Sequence, residues 1–491
     1  MSLQPVHLRI NDAATGEPTP VRLRVTDAAG NYYAPYGRAA EFATGVGENV
    51  GGNVLVVRDS WTYIDGTCEI AVPPGELTIQ ASKGPEYRPL RETVHLPAGK
   101  LALRFEIDRW IDQRGNGWYS GDTRAHFISP HAALLEAAAE DLAVVNLLAC
   151  ESVVASQSGK VYASVPNLLA FSGQKSCLEH DGHVVAVNTR NVHTVLGRLG
   201  LLHCHRVVYP LTFGGADHTD DWSLDDWCGQ CHRKNGLVVW TDAFDPKAGH
   251  AGEALACLIL GHVDALELDP GSPQRLRAWY KLLDAGLRVP LVGASAKDSN
   301  RTPLGVLRTY AHCGAEPFSY TAWVNAVRSG RTFVSAGPAD FAFKVNGVIP
   351  GEETPPNGGL LRISAAVRGV EESDRLEVLL NGAVITATPG SASEMDFAAP
   401  AGGWLAARCW SGGRLLAHTS PVYVIPGRAS PAIDPTAVSF LDQHLARARE
   451  WVETQGRFTK PKSREHLLGT FDAARQALLA RLRLSGTIHG T

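Results

Sequence analysis

Between residues 141 and 295, five short apolar runs recur at intervals, and this pattern restricts the fold more than any other feature of the chain. The runs are DLAVVNLLA (141–149), HRVVYPL (205–211), GLVVWTD (236–242), VDALELD (263–269) and RVPLVGAS (288–295). Helix-like stretches such as PHAALLEAAAEDL (130–142) and SPQRLRAWYKLLDAG (272–286) lie in the same region. Continuous apolar runs between amphipathic helices predict strands buried on both faces, as in a parallel sheet or barrel. In such barrels the chemistry lies just past the C-terminal strand ends. Here the runs lead into three carboxylates, Asp242, Glu267 and, after a short turn, Asp298.

The flanks read differently. Residues 1–108 hold VHLRI, VRLRVTD, NVLVV, CEIAV, ELTIQAS and LALRFEI, with turn signals at 27–30 and 73–75. Residues 336–427 hold FAFKVNG, LLRISAAVRG, RLEVLLNGAVI, GWLAARCW and PVYVI, separated by Asn-Gly and Gly-Gly. Period-two alternation between such turns predicts a β-sandwich at each end. The remainder, 428–491, carries two amphipathic helical patterns. The expected fold class is therefore multi-domain α/β plus β. A distorted (β/α) barrel over 109–335 would be flanked by sandwiches at 1–108 and 336–427, followed by a C-terminal helical tail.

At 491 residues the chain exceeds what one core usually serves, so several domains are expected. A formal charge of −4 and the lack of a basic run argue against a nucleic-acid partner or an anionic membrane surface. No signal-like N-terminus and no apolar stretch of about 18–20 residues is present, so a cytoplasmic protein is expected. Nine scattered cysteines fit free thiols in a reducing compartment.

The stretch GWYSGDTRAHFISPHAALLEAAAEDLAVVNLLA (117–149) resembles the opening of the CehA/McbA branch of the PHP-like metallohydrolases. The resemblance continues through GHVVAVN (182–188), NGLVVWTD (235–242), VDALELD (263–269) and LLDAGLRVPLVGASAKDSN (282–300). It ends at WVNAVRSGRTFVSAGP (323–338). It implies a divalent-metal site on a distorted barrel, where the metal lowers the pKa of a bound water and polarises an ester, amide, carbamate or phosphoester.

Several family positions are rewritten. The first His-x-His is Arg124-Ala-His126, the second strand ends in Asn146-Leu-Leu148, and a Gly-x-Glu becomes Gly173-Gln174-Lys175. The strand that usually ends in His-Pro runs into Thr241-Asp242, and the final Asp-x-His is Asp298-Ser299-Asn300. By resemblance, the remaining metal ligands are His126, His183, Asp242, Glu267 and Asp298. Such a set suits a reduced site, even a single ion of Mn, Zn, Mg or Ca, with oxygen donors favouring the harder metals. Arg124, Asp298 and His218 are the candidate catalytic residues, with Arg124 orienting an anionic group. The competing readings are an ion pair of Arg124 with Asp122 or Glu267, and helix capping or salt bridging for the strand-end acids.

Other features are less directive. Asp217 and His218 sit in a polar loop, GGADHTDDW. His203 and His205 share one face of a run. Cys228-Gly-Gln-Cys231-His232 matches a haem-attachment spacing, although ordinary helix packing is the simpler expectation, with neither haem nor nucleotide expected. The tryptophans Trp110, Trp118, Trp222, Trp227, Trp240 and Trp279 suit a core or a sugar-stacking pocket. Two main functions follow: a metal-dependent hydrolase acting on a small sugar-like or anionic substrate, or a catalytically degenerate barrel that binds a carbohydrate or other small ligand. A lyase using the same pocket is a third.

Overall fold

The computed structural model describes residues 3–38, 52–155, 161–215, 218–314, 317–338, 340–355, 359–371, 374–389, 392–400, 402–425 and 433–486. The chain divides into two compact units, residues 1–187 with 294–308, and residues 188–293 with 309–491.

In the first unit, the strand Val21–Asp27 shows how alternation builds a face: Val21, Leu23 and Val25 are buried in the sheet core while Arg22 and Arg24 lie on the opposite face, partly covered. It pairs antiparallel with Gly75–Ser82, placing Val25 opposite Ile79 and Leu23 opposite Ala81. The sheet runs Asn53–Val56, Asp59–Ile64, Val21–Asp27, Gly75–Ser82, Leu90–Leu96, with Tyr32–Tyr33 added to Val21–Asp27. A second sheet places Gln4–Asp12 between Thr67–Val72 and Ala102–Ile107, antiparallel to the first and parallel to the second. Val6, Leu8 and Ile10 from this sheet share a core with Leu23, Val25, Leu77 and Ile79 from the other.

Further along, Trp118–Ala125 pairs parallel with Val144–Ala149. The helix Pro130–Ala139 connects them; its Ser129 hydroxyl accepts from the Ala132 amide and Pro130 occupies the first turn. Ala133 and Ala137 turn the small side of this helix into a core with Leu142, Val145 and Leu147. Leu178–His180 folds back on the strand beginning at His183. The two turn residues, Asp181 and Gly182, both have positive φ (46° and 75°), the backbone of a two-residue hairpin turn.

The second unit corrects the barrel expectation. The protein is mostly strand, 40% against 23% helix, arranged in large mixed sheets with no clear (β/α) barrel. Parallel pairing joins Leu237–Thr241 to Ala265–Glu267 and that strand to Leu291–Val292. Next to them the ladder reverses. Residues 189–193 pair antiparallel with Gly197–Leu202, which pairs antiparallel with Leu237–Thr241. The run HRVVYPL contributes no strand at all. A buried apolar run carries no information about the direction of its neighbour, so hairpin strands and parallel strands look alike in sequence.

The same unit contains the helices Leu224–His232, Gly252–Ile259 and Pro273–Asp284, and a later three-stranded sheet of Asp340–Val345, Leu360–Arg368 and Ala392–Ala398. Its last helices, Pro435–Thr454 and Pro461–Gly486, bury Leu441, Leu445, Leu467 and Phe471 and are bridged by Arg475–Asp442 and Arg449–Asp472 pairs. Among the described residues, no helix is long and apolar enough to cross a membrane.

Candidate functional site

Three of the sequence-selected residues gather at one corner of the first unit, past the end of Trp118–Ala125. The Arg124 carbonyl accepts from the Ala296 amide at 3.0 Å and the His126 amide donates to the Lys297 carbonyl at 2.7 Å. The backbone of Arg124, His126 and Asp298 is thereby joined. Arg124 and His126 are buried, and Asp298 is half-buried. The His126 Nδ1 lies 2.8 Å from the Leu148 carbonyl, and the Cys150 sulfur lies 3.6 Å from the same nitrogen. Asp122 is a structural residue here. Fully buried, it accepts from the amides of Arg124, Ser295 and Gly305 at 2.9–3.1 Å.

His183 is not part of this corner. Its Nδ1 lies 2.6 Å from the Leu142 carbonyl, whereas His126 contacts Leu148. Those carbonyls are six residues apart along the strand that includes Val144–Ala149, or about 20 Å at a strand's rise per residue. One ion cannot bind both imidazoles.

In the second unit, Asp242 follows the strand Leu237–Thr241 and pairs with Arg190 and, at 3.7 Å, with Arg198. It borders a pocket of only about 30 Å³, room for roughly one water. Glu267 is half-buried at the end of Ala265–Glu267. His218 is exposed, and Asp217 lies outside the described residues. Their loop is anchored through the next acids. Asp220 pairs with the buried His193 at 2.9 Å, and Asp221 accepts from the amides of Thr459 and Lys460. His203 bonds the Thr321 hydroxyl at 3.0 Å, and His205 is exposed. Cys228 and Cys231 point into the core, with Cys231 2.9 Å from Cys204, while His232 pairs with Asp264.

The metal that the resemblance implies does not fit these donors. Among the described residues, no three His, Cys, Asp or Glu side chains converge so as to hold an ion. The Asp242 carboxylate already faces two guanidinium groups, and a buried arginine stands at the first His-x-His position. No catalytic step through a metal follows from this arrangement.

Sequence reasoning missed a further cluster of charged residues. The first unit contains a cavity of about 750 Å³, between the strand-end turns near Asp12 and Lys83 and the helix Pro130–Ala139. At its base Arg109 bonds Asp141 at 2.9 Å and Glu86 at 2.9 Å, and also reaches the Tyr87 hydroxyl at 3.0 Å. Tyr87 in turn donates to Asp12 at 2.9 Å. Arg114 bonds Asp141 at 3.3 Å and approaches His183 Nδ1 at 3.4 Å. Lys83 donates to the carbonyls of Pro20 and Ala138.

Burial sets the proton affinities of this group. It pushes Glu86 up to about 7, with Asp141 adding to the shift. Asp141 is equally buried, yet Arg114 and Arg109 outweigh that and hold it below the usual carboxylate range. Burial pushes Lys83 down to about 8, and burial with Arg114 pushes His183 down to about 4. Of the sequence-selected metal and catalytic candidates, His183 alone lines this cavity among the described residues. Its partners come from five separate segments and carry no common spacing.

No protein-family model and no curated protein matches the chain. Among solved structures, the N-terminal four immunoglobulin domains of Dscam1 align. Isoform 6.9 does so at 8% identity over 87% of this chain and 72% of that one, with a TM-score of 0.14. Isoform 4.44 gives 8%, 87%, 73% and 0.15. Superposition this poor carries no argument.

Proposed function

We propose that the chain is a binding protein for a small polar molecule, taken up in the cavity of the first unit. The observation that supports this is a cavity of about 750 Å³ lined by Arg109, Arg114 and Asp141, which pair with one another, Arg109 also bonding Glu86 behind the lining. That size suits a small-molecule ligand, and side chains locked by ion pairs need little ordering when one arrives. A reducing, cytoplasmic setting belongs to the same proposal, supported by nine cysteines that are all free. The test is ligand-induced thermal stabilisation across a metabolite panel, repeated on His131→Trp, which places a bulky ring at the cavity lining from an exposed helix position. Stabilisation that the substitution abolishes supports the reading; stabilisation it leaves intact overturns it.

Metal-assisted hydrolysis in the manner of the CehA/McbA proteins is the second reading. It is favoured by one observation: His126 turns Nδ1 to a backbone carbonyl, as metal-ligating imidazoles do to orient Nε2. Hydrolysis of a p-nitrophenyl ester or phosphoester that requires added Mn and disappears in His126→Ala would establish it.

A further inference from the structure

Independently of the cavity, we infer that Cys204 and Cys231 are a redox-active dithiol that closes to an intrachain disulfide, with hydrogen peroxide as the oxidant. Both belong to the second unit, and their sulfurs lie 2.9 Å apart. Closing that gap to the ~2.05 Å of a disulfide takes a movement of about 0.9 Å. The two come from different elements. Cys204 lies just past Gly197–Leu202, where its amide donates to Asn188 Oδ1 at 3.4 Å. Cys231 lies in the last turn of Leu224–His232. Gly236 leaves the room that the Cys231 sulfur fills, since a Cβ there would stand 2.5 Å from it.

Access separates this pair from a second couple, Cys228 with Cys257, whose thiols are also hydrogen-bonded. Cys257 belongs to Gly252–Ile259, all eight residues of which are buried. Cys204 and Cys231 are buried too, but the chain beside each reaches the surface: His205 and Arg206 are exposed, and so are Arg233 and Lys234. The Arg206 guanidinium reaches Gln230 Oε1 at 3.4 Å in an exposed contact that joins the two segments. A helix end opens locally at little cost, and peroxide is scarcely larger than water. Burial pushes the Cys231 thiol well above its usual proton affinity, and the thiolate is the reactive form. Oxidation therefore proceeds through the opened helix end.

Peroxide takes two electrons from the pair. One sulfur attacks a peroxide oxygen, the O–O bond breaks, and the thiol proton leaves with the released hydroxide as water. The other sulfur attacks the sulfenic acid so formed. The S–S bond forms, the S–O bond breaks, and the second thiol proton leaves with hydroxide as a second water. Two thiols and one peroxide give one disulfide and two waters.

The experiment treats the reduced full chain in native buffer with a small excess of hydrogen peroxide, caps remaining thiols with iodoacetamide, and maps tryptic peptides without reductant. We expect residues 199–206 joined to residues 207–233, two hydrogens lighter than the separate free-thiol peptides. The link should persist in Cys228→Ser, vanish in Cys231→Ser and reverse with dithiothreitol. Closing the chain between the two cysteines into a loop should raise the melting midpoint by about 5 °C over the reduced protein. Thiols that all stay free, or sulfonic acid at either sulfur without a link, overturn the assignment. So does a Cys228–Cys257 link formed while Cys204 and Cys231 remain free. A Cys204–Cys231 link that appears only in urea overturns it as well, because the native contact would then play no part.

Discussion

Arg109 and Asp141 meet as a fork, with the two guanidinium nitrogens 2.9 and 3.1 Å from the two carboxylate oxygens. The carboxylate is fully enclosed, while the arginine is a quarter exposed. Bidentate pairing of this kind is the stronger form of ion pair, and removing one partner leaves a buried charge uncompensated. Arg109→Met leaves Asp141 with Arg114 and the more distant charge of Lys83, and removes the guanidinium bonded to Glu86. The expected loss is about 3 kcal/mol of stability at pH 7, read from urea unfolding. A loss below about 1 kcal/mol would mean that Arg114 and water compensate fully.

The imidazole of His183 gives the first unit an acid-side weakness. Burial and Arg114 lower its affinity for a proton to about 4, against 6.5 for the free side chain. Below pH 6.5 the unfolded chain takes up a proton that the folded chain refuses. The contribution is therefore fully present above about pH 6.5 and is lost as pH falls towards 4. The size is about 3 kcal/mol at most. Unfolding free energies at pH 7.5 and pH 4.5 measure it, and His183→Gln should flatten the difference. An unchanged pH slope in that variant would sink the assignment.

These two predictions concern residues that the sequence does not bring together. Val21, Leu23 and Val25 are legible because a strand half-buried on one face prints a period of two. The helix Pro130–Ala139 is legible from its Ser-Pro start. The direction of the strands around Leu237–Thr241 is not, since an apolar run buried on both faces reads the same whether its neighbour runs parallel or antiparallel. HRVVYPL looks like such a run and is irregular. The cavity is the least legible feature. Asp12, Lys83, Arg109, Asp141 and His183 come from distant segments, and Asp141 reads in sequence as the polar start of a strand. Its positive φ and complete burial are products of tertiary structure. The residues past Ala125 stand out in sequence only by resemblance to a family pattern, in which Arg124 takes the place of an imidazole.

Metal content separates the corner at His126 from the cavity. The dispersed donors predict well under one equivalent of Mn, Zn, Mg or Ca per chain in protein dialysed without chelator, measured by elemental analysis. His126→Ala and Asp298→Ala should leave that figure unchanged. One equivalent retained by the wild type and lost in both variants would restore a metal centre at that corner.

Tyr63 supplies the last test, at a place where the N-terminal sheets meet the helix Pro130–Ala139. Its hydroxyl donates to the Glu140 carboxylate at 2.8 Å, and Arg22 pairs with the same oxygen at 2.9 Å. All three side chains are buried or nearly so, so bulk water does not replace a partner that Glu140 loses. Tyr63→Phe removes one donor and leaves the ring in place. A hydrogen bond to a buried charged group is worth about 1.5–3 kcal/mol, so thermal unfolding should shift by that amount at pH 7. A loss of under about 0.5 kcal/mol would show that Tyr63 acts through packing alone.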